Sequence, residues 1–147
     1  MICPATQAIA SAFDEHGMHY SIQEDEDGSG SYISLSLECD NVTFRALFIS
    51  SGDDTNVAMR IYKLLKYPPE RTGDILSVAC DVNSDFRFVK FCVDTKTNTV
   101  DVEYDFAREM ENIGEAAYEL LQRAGDIIDQ AYPKFMSSIY GSSKEGV

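Results

Sequence analysis

The chain has 147 residues and a formal net charge of −13, with 25 acidic against 12 basic side chains. A chain of this length suits one domain that buries roughly two-thirds of the surface of its unfolded form, so neither a metal nor a disulfide is needed for folding. The charge disfavours nucleic acid and anionic membrane as partners, and no stretch approaches the roughly 20 apolar residues of a membrane span.

Cys3, Cys39, Cys80 and Cys92 have no paired spacing and read as free thiols. The opening residues, Met1 to Gln7, lack a basic leader and an apolar run, which predicts no secretory signal and a cytoplasmic protein. Seven of the twelve basic residues (Arg60, Lys63, Lys66, Arg71, Arg87, Lys90 and Lys96) fall in one central segment. Acidic residues are interleaved with them, so they read as solvated tips of strands and helices.

In chain order, Pro4 with Ala5, Ala8, Ile9, Ala12 and Phe13 predicts a helix over 4–16, stopped by Gly17. A strand from Met18 to Gln23 runs into the charged turn Glu24 to Gly30. The period then becomes two, with Ile33, Leu35, Leu37 and Cys39 on one face and Ser34, Ser36 and Glu38 on the other. After a turn at Asp40-Asn41, the residues Val42, Phe44, Ala46 and Phe48 alternate with Thr43, Arg45, Leu47 and Ile49. The run breaks in a turn over Ser50 to Asp54.

Asn56 to Lys66 fits both a helix and a strand interrupted by Lys63. The short preceding turn and the helix-breaking Pro68-Pro69 favour the strand. Pro69 opens a second helix whose buried stripe is Ile75, Val78, Ala79 and Val82. Phe86 to Asp94 is apolar on both faces and predicts a central strand. After the turn Thr95 to Asn98, Val100, Val102, Tyr104 and Phe106 alternate with Asp101, Glu103 and Asp105. A long amphipathic helix, expected over 109–140 with a bend at Pro133 and a loosening at Gly125, completes the fold, followed by a disordered tail over 141–147. The reading is one α+β domain over 1–140. Its twisted antiparallel sheet is packed by helices in the order helix, three or four strands, helix, two strands, helix.

Chemistry-bearing motifs are sparse. Asp25, Asp27 and Gly28 match the start of a calcium loop, but its first and last ligand positions hold Gln23 and Ser34. His16 and His19 are separated by a helix end, and His16 reads as a solvent-facing residue at a helix C-terminus. No nucleophile elbow, phosphate loop or distinguished carboxylate pair occurs, so no catalytic, cofactor-binding or metal-binding residue is assigned. The strand assignments place Tyr32, Arg45, Leu47, Arg60, Tyr62 and Leu64 on the sheet face away from the helices, the composition of a protein-binding surface. The alternative is that Leu47, Tyr62 and Leu64 bury against the chain's own helix, or that the register differs by one residue.

Three short segments carry a family resemblance. Pro69-Glu70-Arg71 opens the middle helix and Asn83 lies near its end, Phe86-Arg87-Phe88-Val89-Lys90-Phe91-Cys92-Val93-Asp94 forms an aromatic strand with an Asp-containing turn, and His16-Gly17-Met18-His19-Tyr20 closes the first helix. With this element order, the chain resembles the YbjN-domain family of bacterial sensory-transduction regulators, whose fold is like that of type III secretion chaperones. The resemblance runs from about Ala5 to Ser138. It implies no catalytic residues and a small cytoplasmic protein that binds another polypeptide or itself as a regulator or chaperone-like adaptor. The strand assignments add the expected mode, recognition of an extended or helical segment by the open sheet face or an exposed strand edge, by a homodimer or with a protein partner and without a cofactor. Two other functions remain open. One is a small-molecule sensor with a pocket lined by Phe44, Phe48, Phe91 and Leu120, and the other is an acidic inhibitor or immunity-type protein steered onto a basic target.

Overall fold

The computed structural model describes residues 2–51, 56–107 and 110–141. Helix α1 (Pro4–Glu15) is followed by strands β1 (Ser21–Glu24), β2 (Gly30–Glu38), β3 (Thr43–Ser51) and β4 (Asn56–Lys66). A single 3₁₀ turn, Pro69–Arg71, leads into α2 (Thr72–Asp85). Strands β5 (Lys90–Asp94) and β6 (Thr99–Ala107) and the long helix α3 (Ile113–Tyr140) complete the domain. The strands form one antiparallel sheet in the spatial order β1-β2-β3-β4-β6-β5.

The alternating apolar residues decide which face is covered. Ile33, Leu35, Phe44, Ala46, Phe48, Met59, Ile61, Val100 and Val102 are all buried on the side where the helices lie. Phe13 of α1 meets Phe48 edge-on at 5.6 Å, and Phe135 of α3 packs on Phe91 at 5.4 Å. Each fully buried large side chain contributes about 2–3 kcal/mol by removal from water. The helices can come close because of two glycines. A Cβ at Gly114 would lie 2.5 Å from the Ala8 carbonyl oxygen on α1, and one at Gly125 would lie 2.7 Å from Leu37 Cδ2 on β2.

β4 is a strand throughout, and Lys63 marks an irregularity within it. Pairing with β6 passes from Ile61–Val102 to Leu65–Val100, so Tyr62, Lys63 and Leu64 bulge out against Asp101. Lys63 sits at φ +53°, and its N–H donates to Asp101 Oδ1 at 2.7 Å. The bulge keeps both Ile61 and Leu65 in the core.

Several expectations differ from the structure. The first strand begins at Ser21, not Met18, because Met18 N–H still bonds the Phe13 carbonyl at the end of α1 and the Tyr20 hydroxyl donates to Asp14. The segment Phe86 to Asp94 is not a central strand. Only Lys90–Asp94 is extended, and it lies at the edge of the sheet. Its apolar character has other causes: Val89 and Phe91 are buried under the helices, while Phe86 and Phe88 receive Lys134 and Arg123 over their rings. Helix α3 starts at Ile113 after Asn112, which takes the left-handed conformation at φ +55°. Pro133 lies within α3. The pocket expected around Phe44, Phe48 and Phe91 is filled core, and only Leu120 of that set lines a cleft. Residues 52–54 of the third turn, residue 109 of the long helix and residues 142–147 of the tail lie outside the described residues.

Candidate binding surfaces

α1, α2 and α3 occupy one face of the sheet, and the register aligns the side chains of the other. Tyr32 on β2 opposes Ile49 on β3, which opposes Ala58 on β4 and then Asp105 on β6. The next row runs Ser34, Leu47, Arg60, Glu103 and Lys90. Tyr32, Leu47, Ile49 and Ala58 are half-buried, Arg45 is exposed, and Tyr62 on the bulge is 53% exposed. Five of the six expected surface residues, Tyr32, Arg45, Leu47, Arg60 and Tyr62, therefore share one face. Leu64 differs: it is half-buried and packed against the core beside the bulge.

The two arginines are held in place. Arg45 Nη1 donates to Ser34 Oγ at 2.6 Å, and Arg60 Nη1 reaches Asp105 Oδ1 at 2.7 Å with Glu103 at 3.9 Å from its Nε. Burial lowers the Arg60 pKa, but the hydrogen bond and charge of Asp105, with Glu103, more than offset it and leave the guanidinium above its ordinary value. The surface therefore offers fixed positive groups among apolar ones.

A second feature was not foreseen from the sequence. Beside the end of β6 is a cleft of about 430 Å³, floored by Phe88, Tyr104, Phe106, Met110 and Leu120. Glu115 and Glu119, one turn apart on α3, and Glu111 in the turn before it also line the cleft. Phe88 and Met110 are 41% and 43% exposed. Phe88, at φ +76°, turns its ring toward Tyr104, with centroids 6.5 Å apart, and Arg123 lies 5.0 Å above it. The cleft is assembled where the chain turns from β6 into α3, closed by Phe88 from before β5, so no periodic pattern announces it.

His16 is also tied to α3. Its ring stacks on Tyr118 at 3.6 Å, and Nε2 lies 3.0 Å from Glu115 Oε1. In the acidic turn, Asp27 accepts the N–H and hydroxyl of Ser29, which hold its carboxyl below the ordinary value. Among the described residues no group of three His, Cys, Asp or Glu side chains is placed to hold a metal ion. The thiols of Cys39 and Cys92 are pushed above their ordinary value, first by burial and then by nearby carboxylates, which disfavours the thiolate a nucleophile needs.

The comparisons with known proteins agree with this geometry. Residues 6–136 match the sequence profile of the YbjN family, described as "Putative bacterial sensory transduction regulator". The chain belongs to the YbjN family. A solved structure with the same fold is described as "Crystal structure of YbjN, a putative transcription regulator from E. coli". It superposes with a TM-score of 0.57 at 13% sequence identity, covering 86% of this chain and 90% of that one. A search among curated proteins found no match. Among the described residues no helix is long and apolar enough to cross a membrane. Membership supports a regulatory or binding role in general terms, and the shared fold is the α-β4-α-β2-α order seen here.

Proposed function

We propose that this YbjN-family chain is a non-enzymatic binding module of a cytoplasmic regulator, holding a polypeptide (another protein or a second copy of itself) against the open face of its sheet. One observation carries this reading. All three helices lie on one side, and the uncovered side presents Tyr32 beside Ile49 in one row and Leu47 beside Arg60 in the next, with Arg45 and the exposed Tyr62 of the bulge on the same face. Aromatic, aliphatic and arginine side chains on a rigid sheet are the composition of protein interfaces, and they need no covalent chemistry. A role like that of a type III secretion chaperone, which also shields a polypeptide, is compatible with it.

The test is affinity capture from lysate of the source cell, with mass in solution measured alongside, for the native protein and a Leu47→Asp, Tyr62→Asp variant. Both positions lie outside the buried core, so the variant is expected to melt within a few degrees of the native chain. Loss of a discrete partner or of self-association in the variant supports the proposal. Retention of every partner and of the native mass refutes it.

A further inference from the structure

The sheet has an unfinished stretch of edge. β5 ends at Lys90, opposite Glu103, whereas β6 continues to Ala107, still paired with β4 as far as Asn56. From Tyr104 to Ala107, β6 therefore has β4 on one side and, among the described residues, no strand on the other. The alternation of the ladder fixes which backbone groups face outward. Phe91 turns its N–H and C=O away from β6, onto the side chain of Asn83. The residues of this pair that exchange hydrogen bonds are therefore Lys90 with Glu103 and Cys92 with Asp101. Two residues beyond Glu103, Asp105 presents its N–H and C=O to the same side, where no strand follows. Consistent with this, the Tyr104 carbonyl points the other way, toward Arg60 Nη1 at 3.4 Å. The Ala107 carbonyl is taken by the Met110 N–H.

Two hollows flank this stretch, one on each face. On the helix side is the apolar cleft of Phe88, Tyr104, Phe106, Met110 and Leu120. On the open side is a smaller hollow that shares Phe88 and Tyr104 and is bordered by Lys90, Glu103 and Asp105. Successive side chains of a strand point to opposite faces, so a strand laid along β6 would direct alternate side chains into the apolar cleft and into a hollow bordered by charged groups. Charge sets the rest of the ligand's chemistry. Glu111, Glu115 and Glu119 rim the cleft, and Glu103 and Asp105 border the other hollow. Arg60 pairs with Asp105 and Arg123 with Glu119, while Lys90, bonded to the carbonyls of Asn83 and Phe86, keeps its charge, so the five carboxylates exceed these three cations by two. In a chain of net charge −13, this favours a basic ligand.

We propose that the free edge of β6 binds an extended, basic peptide segment of a partner protein, added as a strand alongside Asp105 with one apolar side chain in the Phe88–Met110 cleft. This rests on the reading of the chain as a polypeptide-binding module, and it names the part of the partner and the surface that takes it.

The probe is a fluorescein-labelled peptide with a central leucine between threonines and lysines at both ends, titrated by fluorescence anisotropy into the full chain. Three peptide copies accompany it: one backbone N-methylated at the leucine, one at the threonine after it, whose N–H points to the opposite side of a strand, and one with glutamates for lysines. Binding is expected to weaken about tenfold with at least one N-methylated copy, because a buried hydrogen bond is lost. It is expected to vanish with the glutamate copy and in the Met110→Glu protein, and to persist in Leu47→Asp. Changes on the peptide side cannot unfold the protein, so they keep the test decisive if Met110→Glu misfolds. Equal affinity for both N-methylated copies, or no binding of the parent peptide, overturns the proposal. Binding lost in Leu47→Asp but kept in Met110→Glu also overturns the edge site, yet leaves the open-face reading standing. Failure of both this test and the partner capture overturns the two together.

Discussion

Replacing Asn83 by Ala tests how the rest of this edge is closed. The Asn83 side chain acts as a substitute strand: Nδ2 donates to the Phe91 carbonyl at 3.0 Å, and Oδ1 accepts the Phe91 N–H at 2.8 Å. Both contacts are partly buried. Asn83→Ala leaves a donor and an acceptor of β5 without these partners, at a cost of about 2–3 kcal/mol in total. For a chain of 147 residues the unfolding entropy is about 0.3 kcal/mol/K, so the thermal midpoint should fall by about 6–10 °C. Hydrogen exchange at the Phe91 amide should accelerate by more than at the Val93 amide.

Asn83→Asp adds a sign. The carboxylate keeps the acceptor but loses the donor facing the Phe91 carbonyl, and only the protonated acid restores it. Asn83→Asp is therefore expected to melt below the native chain at neutral pH, as differential scanning fluorimetry would show. A loss below about 1 kcal/mol in Asn83→Ala with unchanged Phe91 protection would refute the clamp.

Three further outcomes follow from particular contacts. Gly73→Ala, in α2 with nothing within 4 Å of the added carbon, should stabilise by about 0.5–1 kcal/mol, whereas Gly114→Ala, aimed at the Ala8 carbonyl, should destabilise by about 1–3 kcal/mol; thermal melts of both variants check the pair. Iodoacetamide at pH 8 should modify exposed Cys80 before Cys39 and Cys92, since burial and carboxylates raise the latter two thiols. Their contribution to stability is present below the ordinary thiol value and lost as pH rises through the raised one, which pH-dependent denaturation can follow. The Asp94 carboxylate accepts the N–H groups of Lys96 and Thr97, which lower its pKa. The stability of this turn is thus present above the ordinary Asp value and lost as pH falls through the depressed one, and Asp94→Asn should flatten that acid limb.

Elements whose burial pattern is set by one face were legible in the sequence. β2, β3 and β6 alternate apolar with polar residues because each has a covered and an uncovered side, and the same alternation placed Tyr32, Arg45, Leu47 and Arg60 on one surface. β4 was legible as a strand, and Lys63 as its flaw, but not the bulge that turns Leu64 toward the core. The segment before β5 misled because Phe86 and Phe88 are apolar for reasons unrelated to a ladder: they pack under Lys134 and Arg123 of a helix far along the chain. The cleft depends on that same long-range packing, with Phe88, Tyr104 and Met110 brought together by the tertiary fold. Asn83 was visible as a motif residue, but its function as a clamp on Phe91 requires knowing that β5 is an edge.

The edges of the sheet show why the β6 stretch stands apart. β1 is a four-residue strand ending in Glu24 and followed by the charged turn, the kind of short, charged edge that discourages further pairing. β5 is covered along its outer side by α2 and by the Asn83 clamp. Past Lys90, where Phe88 takes φ +76° and leaves the ladder, β6 has no replacement strand among the described residues. An edge left open beside an apolar cleft invites self-pairing, and the surrounding Glu103, Asp105, Glu111, Glu115 and Glu119 oppose it, since a second copy would bring the same carboxylates. The acidity that keeps the chain from pairing with itself there would attract a basic strand, so one arrangement of charge provides both protection and selectivity.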